Sequence, residues 1–287
     1  MEEGIIMSIA RKHDLKNKLI VITGAGGVLC AFLAKQLVHT QANIALLDIN
    51  FDVANAVADE INQQGGKAKA YKTDVLDIDS LKVVREQIML DFGTCDILIN
   101  GAGGNNPKAT TDNEYHQLNL NENTKTFFNL DKSSIEFVFN LNYLGTLLPT
   151  QVFAQDMIGK QGANILNVSS MNAFTPLTKI PAYSGAKAAI SNFTQWLAVY
   201  FSKVGIRCNA IAPGFLVSNQ NQTLLFDEQG KPTPRANKIL TNTPMGRFGE
   251  PDELVGGVLF LIDEAYASFV NGVVLPIDGG FSAYSGV

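Results

Sequence analysis

Seven short strand-like runs, most of them apolar, each parted from the next by a helical repeat, restrict this chain to few architectures. The runs fall near 18–23, 43–48, 67–73, 96–100, 163–169, 206–212 and 273–277, with helical patterns near 27–39, 51–64, 78–91, 134–158, 183–203 and 251–262. Strands that are apolar throughout are buried on both faces, and strand–helix alternation closes as a parallel sheet through right-handed crossovers. The expected fold is α/β: a doubly wound parallel seven-stranded sheet with helices on both faces. It forms a single domain over 18–287 behind an N-terminal extension, 1–17. The crossovers bring Gly24, Asp48, Asn100, Ser170 and Pro213 to one edge, where such sheets bind ligands.

Several runs end in residues suited to a nucleotide. Leu19-Ile-Val-Ile-Thr-Gly24-Ala-Gly26-Gly27 reads as a strand breaking into glycines, and a helical pattern follows from Val28. The glycines let the backbone approach a pyrophosphate, and the helix N-terminus offers it unpaired N–H groups and a positive dipole end. Asp48 closes the second run 24 residues after Gly24 (48 − 24), near the ~20 expected of a ribose-binding acid. Its carboxylate can accept from a ribose 2′-hydroxyl and repels a 2′-phosphate, so NAD is expected rather than NADP. Asn100-Gly101-Ala102 ends the fourth run in small residues, and Pro213-Gly214 ends the sixth in a turn that could wrap a nicotinamide.

Tyr183-Ser-Gly-Ala-Lys187 sets a phenol and an ammonium one helical turn apart on one face. A free phenol has a pKa near ~10, and a nearby ammonium is expected to lower it. Ser170, thirteen residues upstream (183 − 170), closes the run Asn164-Ile-Leu-Asn-Val-Ser-Ser170, where its hydroxyl could hold a substrate oxygen beside the phenol.

In this order and spacing the motifs resemble the short-chain dehydrogenase/reductase family, over nearly the whole chain from Lys18 onward. The resemblance implies a Rossmann-like fold with Tyr183 as general acid/base. Lys187 would activate Tyr183 and bind the nicotinamide ribose, and Ser170 would orient the carbonyl. Asn142, in Asn140-Leu-Asn142-Tyr-Leu-Gly145, would position a proton-relaying water. Asp74-Val75 matches the adenine-binding pair. One departure stands out: Val28 and Cys30 replace the later glycines of the phosphate loop. A side chain at position 30 is expected to push the helix slightly off the sheet, with Gly26 and Gly27 supplying the close approach.

Within that family, Ser169-Ser-Met-Asn-Ala-Phe-Thr-Pro-Leu-Thr-Lys-Ile-Pro181, Thr243-Pro-Met-Gly-Arg-Phe-Gly-Glu-Pro251 and the tail from Asp278 resemble the short-chain type of D-mannonate oxidoreductase, or fructuronate reductase. This implies interconversion of D-mannonate and D-fructuronate in hexuronate breakdown. A partly dehydrated carboxylate needs a cation or several donors. Lys179, Arg235 and Lys238 are the candidate cations, and Asn172, Asn219 and Asn221 could donate to sugar hydroxyls. Another sugar-acid or polyol dehydrogenase, for instance one acting on gluconate, would share the same motifs, as would a nicotinamide-binding protein without turnover.

A net charge of −5 argues against nucleic acid or an anionic membrane as partner. The segment 1–12 lacks the form of a secretory signal, and no run is long and apolar enough to span a bilayer. Cys30, Cys95 and Cys208 have no metal-like spacing and sit among apolar residues, as reduced thiols of a cytoplasmic protein would. No metal site is expected. Two polar stretches break the alternation: 104–132 reads as a mobile surface loop, and 216–243 lies where the family keeps a substrate lid. The apolar chain end matches the region through which family members associate, implying a homotetramer, with the tail 282–287 placed against a neighbour's active site.

Overall fold

The computed structural model describes residues 13–217 and 222–286. Met1–Lys12, Asn219 and Asn221 lie outside the described residues. Seven parallel strands run β1 (Leu19–Thr23), β2 (Asn43–Asp48), β3 (Lys67–Lys72), β4 (Ile97–Asn100), β5 (Asn164–Val168), β6 (Arg207–Pro213) and β7 (Val274–Ile277). Their order across the sheet is β3-β2-β1-β4-β5-β6-β7. Each strand lies within one residue of its expected bounds.

Alternate side chains of one strand feed two cores. Ile20 and Ile22 of β1 join Ile44, Leu46, Ile61 and Leu33 on one face, under α1 (Val28–Gln36) and α2 (Phe51–Gln63). Leu19 and Val21 join Leu98, Ile165 and Phe153 on the other. That face is covered by α3 (Ile78–Asp91), α4 (Lys132–Phe139), α5 (Gly145–Phe153) and α6 (Pro181–Tyr200). The two-sided burial explains why β1, β4 and β6 show no buried–exposed alternation, whereas β3 alternates. The helix expected over 134–158 is broken by a π turn, Asn140–Leu144, between α4 and α5; one extra residue in the turn swings Asn142 inward, where it is fully buried.

Strand order reverses direction at β1, whose neighbours are β2 and β4. The loops leaving β1 and β4 therefore part at their carboxyl ends and leave a crevice. Glycines make their close approach possible. Gly24 has φ +64°, and a Cβ there would sit 2.7 Å from Ala102 Cα. At Gly101 a Cβ would meet Cys30 Sγ at 2.1 Å. The room for the thiol that replaces a family glycine is thus made on the facing loop, by Gly101, rather than by lifting α1.

The stretch 104–132, expected as a mobile loop, has fixed partners. Ala109 is fully buried against Val138, Ala182 and Ala186 beside Tyr183, and Thr111 N–H donates to Lys179 O at 2.9 Å. Its Asn and Thr residues bond the local backbone, as at the Thr126–Asn129 capping box, which is why a polar sequence takes a defined shape. Residues 216–243 carry two short helices, α7 (Gln222–Leu225) and α8 (Pro234–Thr241). Leu225, Ala236, Ile239 and Phe248 form a small core of their own there. Beyond them lie α9 (Val255–Ile262) and α10 (Glu264–Ala267). The chain end folds back in cis: Thr175 Oγ1 donates to Ser282 O at 3.4 Å, and Phe281 packs edge-on to Phe215 at 5.4 Å.

Replacing Gly101 by Ala should destabilise the protein by about 1–3 kcal/mol through overpacking. The Cys30→Ala change removes the 2.1 Å clash with Sγ and leaves Thr23 O at 3.0 Å and the residue 30 Cβ at 3.6 Å from the new methyl, so the double variant should recover part of that loss in urea denaturation. Simple additivity of the two changes would show that the thiol is not the obstacle.

Candidate active site

Strand β5 delivers its carboxyl end directly to the reactive groups. Ser170 caps the short turn Met171–Ala173, its Oγ accepting from Asn172 N at 3.3 Å. The same side chain faces Tyr183 and favours its ionised form. Pro181 opens α6, its fixed φ suiting the first helical position. Tyr183 and Lys187 then fall one turn apart, with Lys187 Nζ 5.6 Å from the Tyr183 ring centroid. Lys187 is buried and donates to Val168 O at 2.8 Å. Ser169 Oγ in turn donates to Lys187 O at 3.1 Å, pinning the helix to the strand end.

Burial governs the electrostatics. It pushes Lys187 down to about 8 from its ordinary 10.5. Burial also pushes the Tyr183 phenol up, and Ser170 pulls it back. The expected lowering by Lys187 is not found: the phenolate loses hydration on burial, and Ser170 alone acts against that loss. Cys30, close by, is raised to about 12 by burial, so its thiol stays neutral.

Asn142 joins this group from below. Its Nδ2 donates to Gly104 O at 2.7 Å and Val138 O at 2.8 Å, and its Oδ1 accepts from Gly104 N at 3.3 Å. A Cβ on Gly103 would lie 2.6 Å from Asn142 Oδ1 and 3.3 Å from Lys187 Nζ, so the missing side chain keeps the space between them clear.

A cavity of about 480 Å³ opens over these residues. Gly24, Gly27, Val28 and Cys30 line one end, Ser170, Tyr183 and Lys187 its centre, and Pro213 and Gly214 the far side. Further along the edge, Asp48 accepts from Gly26 N at 2.9 Å and Asn50 N at 2.8 Å, which fixes its carboxylate over the glycine turn. Thr73 N–H donates to Asp48 O at 2.9 Å, which brings Asp74 and Val75 beside it. The glycine cradle, the fixed acid and the buried lysine together fit a dinucleotide laid along this edge.

Not every expected contact faces the crevice. Asn100 turns its side chain into the core, donating to Thr150 Oγ1 at 3.0 Å and Asn167 Oδ1 at 2.9 Å. Ala102 contributes backbone, its N–H donating to Thr23 Oγ1 at 3.3 Å. Asn172 is buried with its Oδ1 unpartnered among the described residues, and it lines neither this cavity nor its neighbour. Lys179 lines an adjoining outer cavity of about 590 Å³. Leu225 and Ile239 of the two short helices line the inner cavity without having been expected; the spacing Ala236, Ile239, Leu240 within a polar stretch is the helical signal that marks them. Among the described residues no cluster could hold a metal ion, and no helix is long and apolar enough to cross a membrane.

A profile of the short chain dehydrogenase family matches residues 18–229, and the chain belongs to that family. It is therefore an oxidoreductase by class. A relative from Haemophilus influenzae, described as an uncharacterised oxidoreductase, is 81% identical over 98% of this chain and 99% of its own length. One from Bacillus subtilis, described likewise, is 46% identical over 96% and 98%. A crystal structure of a candidate D-mannonate oxidoreductase from Haemophilus influenzae, with bound NAD, superposes with a TM-score of 0.94 at 82% identity, covering 96% of this chain and 98% of that one.

The apo protein offers a signed test of the buried ammonium. Its depressed pKa means that the unfolded chain holds more protons than the folded one between about 8 and about 10.5. Stability conferred through this group therefore rises with pH across that window. The stability difference between wild type and Lys187→Met, followed by thermal unfolding, should shift in favour of wild type over the same interval. A pH-independent difference would show that Lys187 is solvated.

Proposed function

We propose that the protein is an NAD-dependent oxidoreductase that interconverts D-mannonate and D-fructuronate by hydride transfer. The observation that carries this reading is the joining of Ser170, Tyr183 and Lys187 in one cavity with the glycine turn, in a chain 82% identical to the NAD-bound relative. Asp48 supports NAD over NADP, since its fixed carboxylate disfavours a 2′-phosphate. Bound at this edge, the nicotinamide would supply or accept the hydride; the rest falls to the chain. Ser170 and Tyr183 polarise the substrate oxygen, and Tyr183 holds the proton at Oη. Its raised pKa keeps the phenol protonated for donation to a keto sugar acid. Lys187 stands behind it as the fixed positive charge and ribose ligand. Asn142, with Gly103 open above it, leaves room for a relayed proton. The segment 216–243 closes over the substrate and excludes water.

Absorbance at 340 nm with D-mannonate and NAD should rise, and it should rise less with gluconate or with NADP. Tyr183→Phe should lower turnover by ~10²–10⁴ while the cofactor still binds. Near-normal turnover by that variant would remove the assignment, and a rise with gluconate alone would change the substrate.

The implied homotetramer belongs to the same reading. Phe193, Trp196 and Tyr200 stack along α6; Trp196 is 55% and Tyr200 64% exposed, an unusual amount of aromatic surface for a lone chain. Sedimentation velocity should give a species of four chains; a single-chain mass would refute it.

A further inference from the structure

The inner and outer cavities share three wall residues, Phe215, Arg235 and Ile239, and Arg235 is the only ionisable one. Among the described residues no carboxylate lines the inner cavity, and its only other cation is Lys187, already committed to Val168 O. The outer cavity sets Lys179, Arg235 and Lys238 against Glu114 alone. Glu114 is ion-paired with Lys238. On a chain with a net charge of −5, this is a local concentration of positive charge. No carboxylate pairs with Arg235 among the described residues.

The helix that carries Arg235 is held from two sides. Thr233 caps α8, accepting from Ala236 N at 3.2 Å, and Pro234 fills the first helical position. Arg235 thus occupies the first turn, where free N–H groups add to its positive field. Arg235 and Ile239, four apart, share the face that looks into the cavity. Ala236 and Ile239 root that face in the core with Leu225 and Phe248. From the other side, Glu114 of the insertion grips Lys238.

We propose that Arg235 recognises the carboxylate of the substrate, holding it where the two cavities meet while the reacting carbon lies at Ser170 and Tyr183. Glu114 is a positioning residue that fixes α8 through Lys238. The assignment rests on the sugar-acid reading given above. A guanidinium fork matches a carboxylate in two parallel hydrogen bonds, which a lysine cannot reproduce.

The test uses the full chain loaded with NADH, because D-mannonate cannot react with the reduced cofactor and so forms a stable ternary complex. Calorimetric titration should show D-mannonate binding more tightly than D-mannitol, its neutral counterpart. Arg235→Met should weaken D-mannonate about 10- to 100-fold, to near the level of D-mannitol, while leaving D-mannitol and NADH binding as they were. Arg235→Lys should fall between the two, and Glu114→Gln should weaken D-mannonate alone, by less than Arg235→Met. Unchanged D-mannonate affinity in Arg235→Met, or an equal loss for both ligands, overturns the inference and leaves the reaction standing. Wild type that binds D-mannitol as well as D-mannonate, or binds neither, overturns the sugar-acid reading itself.

Discussion

One buried ammonium organises the reactive end of this molecule, and the parts around it answer to the difficulty of keeping a charge there. Lys187 is 4% exposed, and a charge so placed loses most of its hydration. A backbone carbonyl, Val168 O, replaces part of that hydration at 2.8 Å. Burial has two effects at once: it weakens the hold of Lys187 on its proton and strengthens every interaction the ammonium makes, because the local dielectric is low. That Cys30 stays a neutral thiol matters for the same reason. A thiolate there would neutralise the ammonium and take away its influence on Tyr183.

A helix lysine bonded to the end of a strand is only as well placed as that strand. Beneath the site runs a chain of buried polar groups. Thr146 Oγ1 donates to Asn142 O at 2.8 Å, and Thr150 Oγ1 to Thr146 O at 2.8 Å. Asn100 then bridges Thr150 and Asn167, and Asn167 Nδ2 donates to Thr194 Oγ1 at 2.9 Å. The chain stitches α5, β4, β5 and α6 together directly below Asn142 and Lys187. Buried networks of this kind restrict the arrangement, since a shift strands further polar atoms beside Asn100 Oδ1, which has no partner among the described residues. Asn100 reads as a cofactor contact from its place at a strand end; its side chain instead serves this scaffold, while the neighbouring glycines meet the crevice.

The sheet was legible because its signal is local and repeated. β1, β4, β5 and β6 are buried at every position and β2 at all but its ends, so burial leaves much the same mark five times, whereas β3 alternates and the edge strand β7 is only partly covered. Tyr183 and Lys187 were legible because a helix fixes the geometry of an i, i+4 pair. The compensation of Cys30 by Gly101 was not, since it joins residues 71 apart (101 − 30) across a loop crossing whose closeness no spacing encodes. The order in 104–132 was equally hidden. It rests on one small residue, Ala109, buried under α6, and on side-chain caps that look in sequence like any polar loop.

The boundary between what could and could not be read follows the two halves of the reaction. A dinucleotide presents the same phosphates and riboses to every member of the family, so the strand ends that meet it carry fixed residue types at fixed spacings. In the reading proposed above, the substrate would meet the chain where it has most freedom, on a short helix rooted in an apolar cluster and on an insertion tied to it through Lys238 and Glu114. Arg235 looks in sequence like any other surface arginine. Its meaning comes from standing on the one wall that two cavities share, and that wall exists only once the insertion and the chain end, with Phe281 against Phe215, have folded over the sheet.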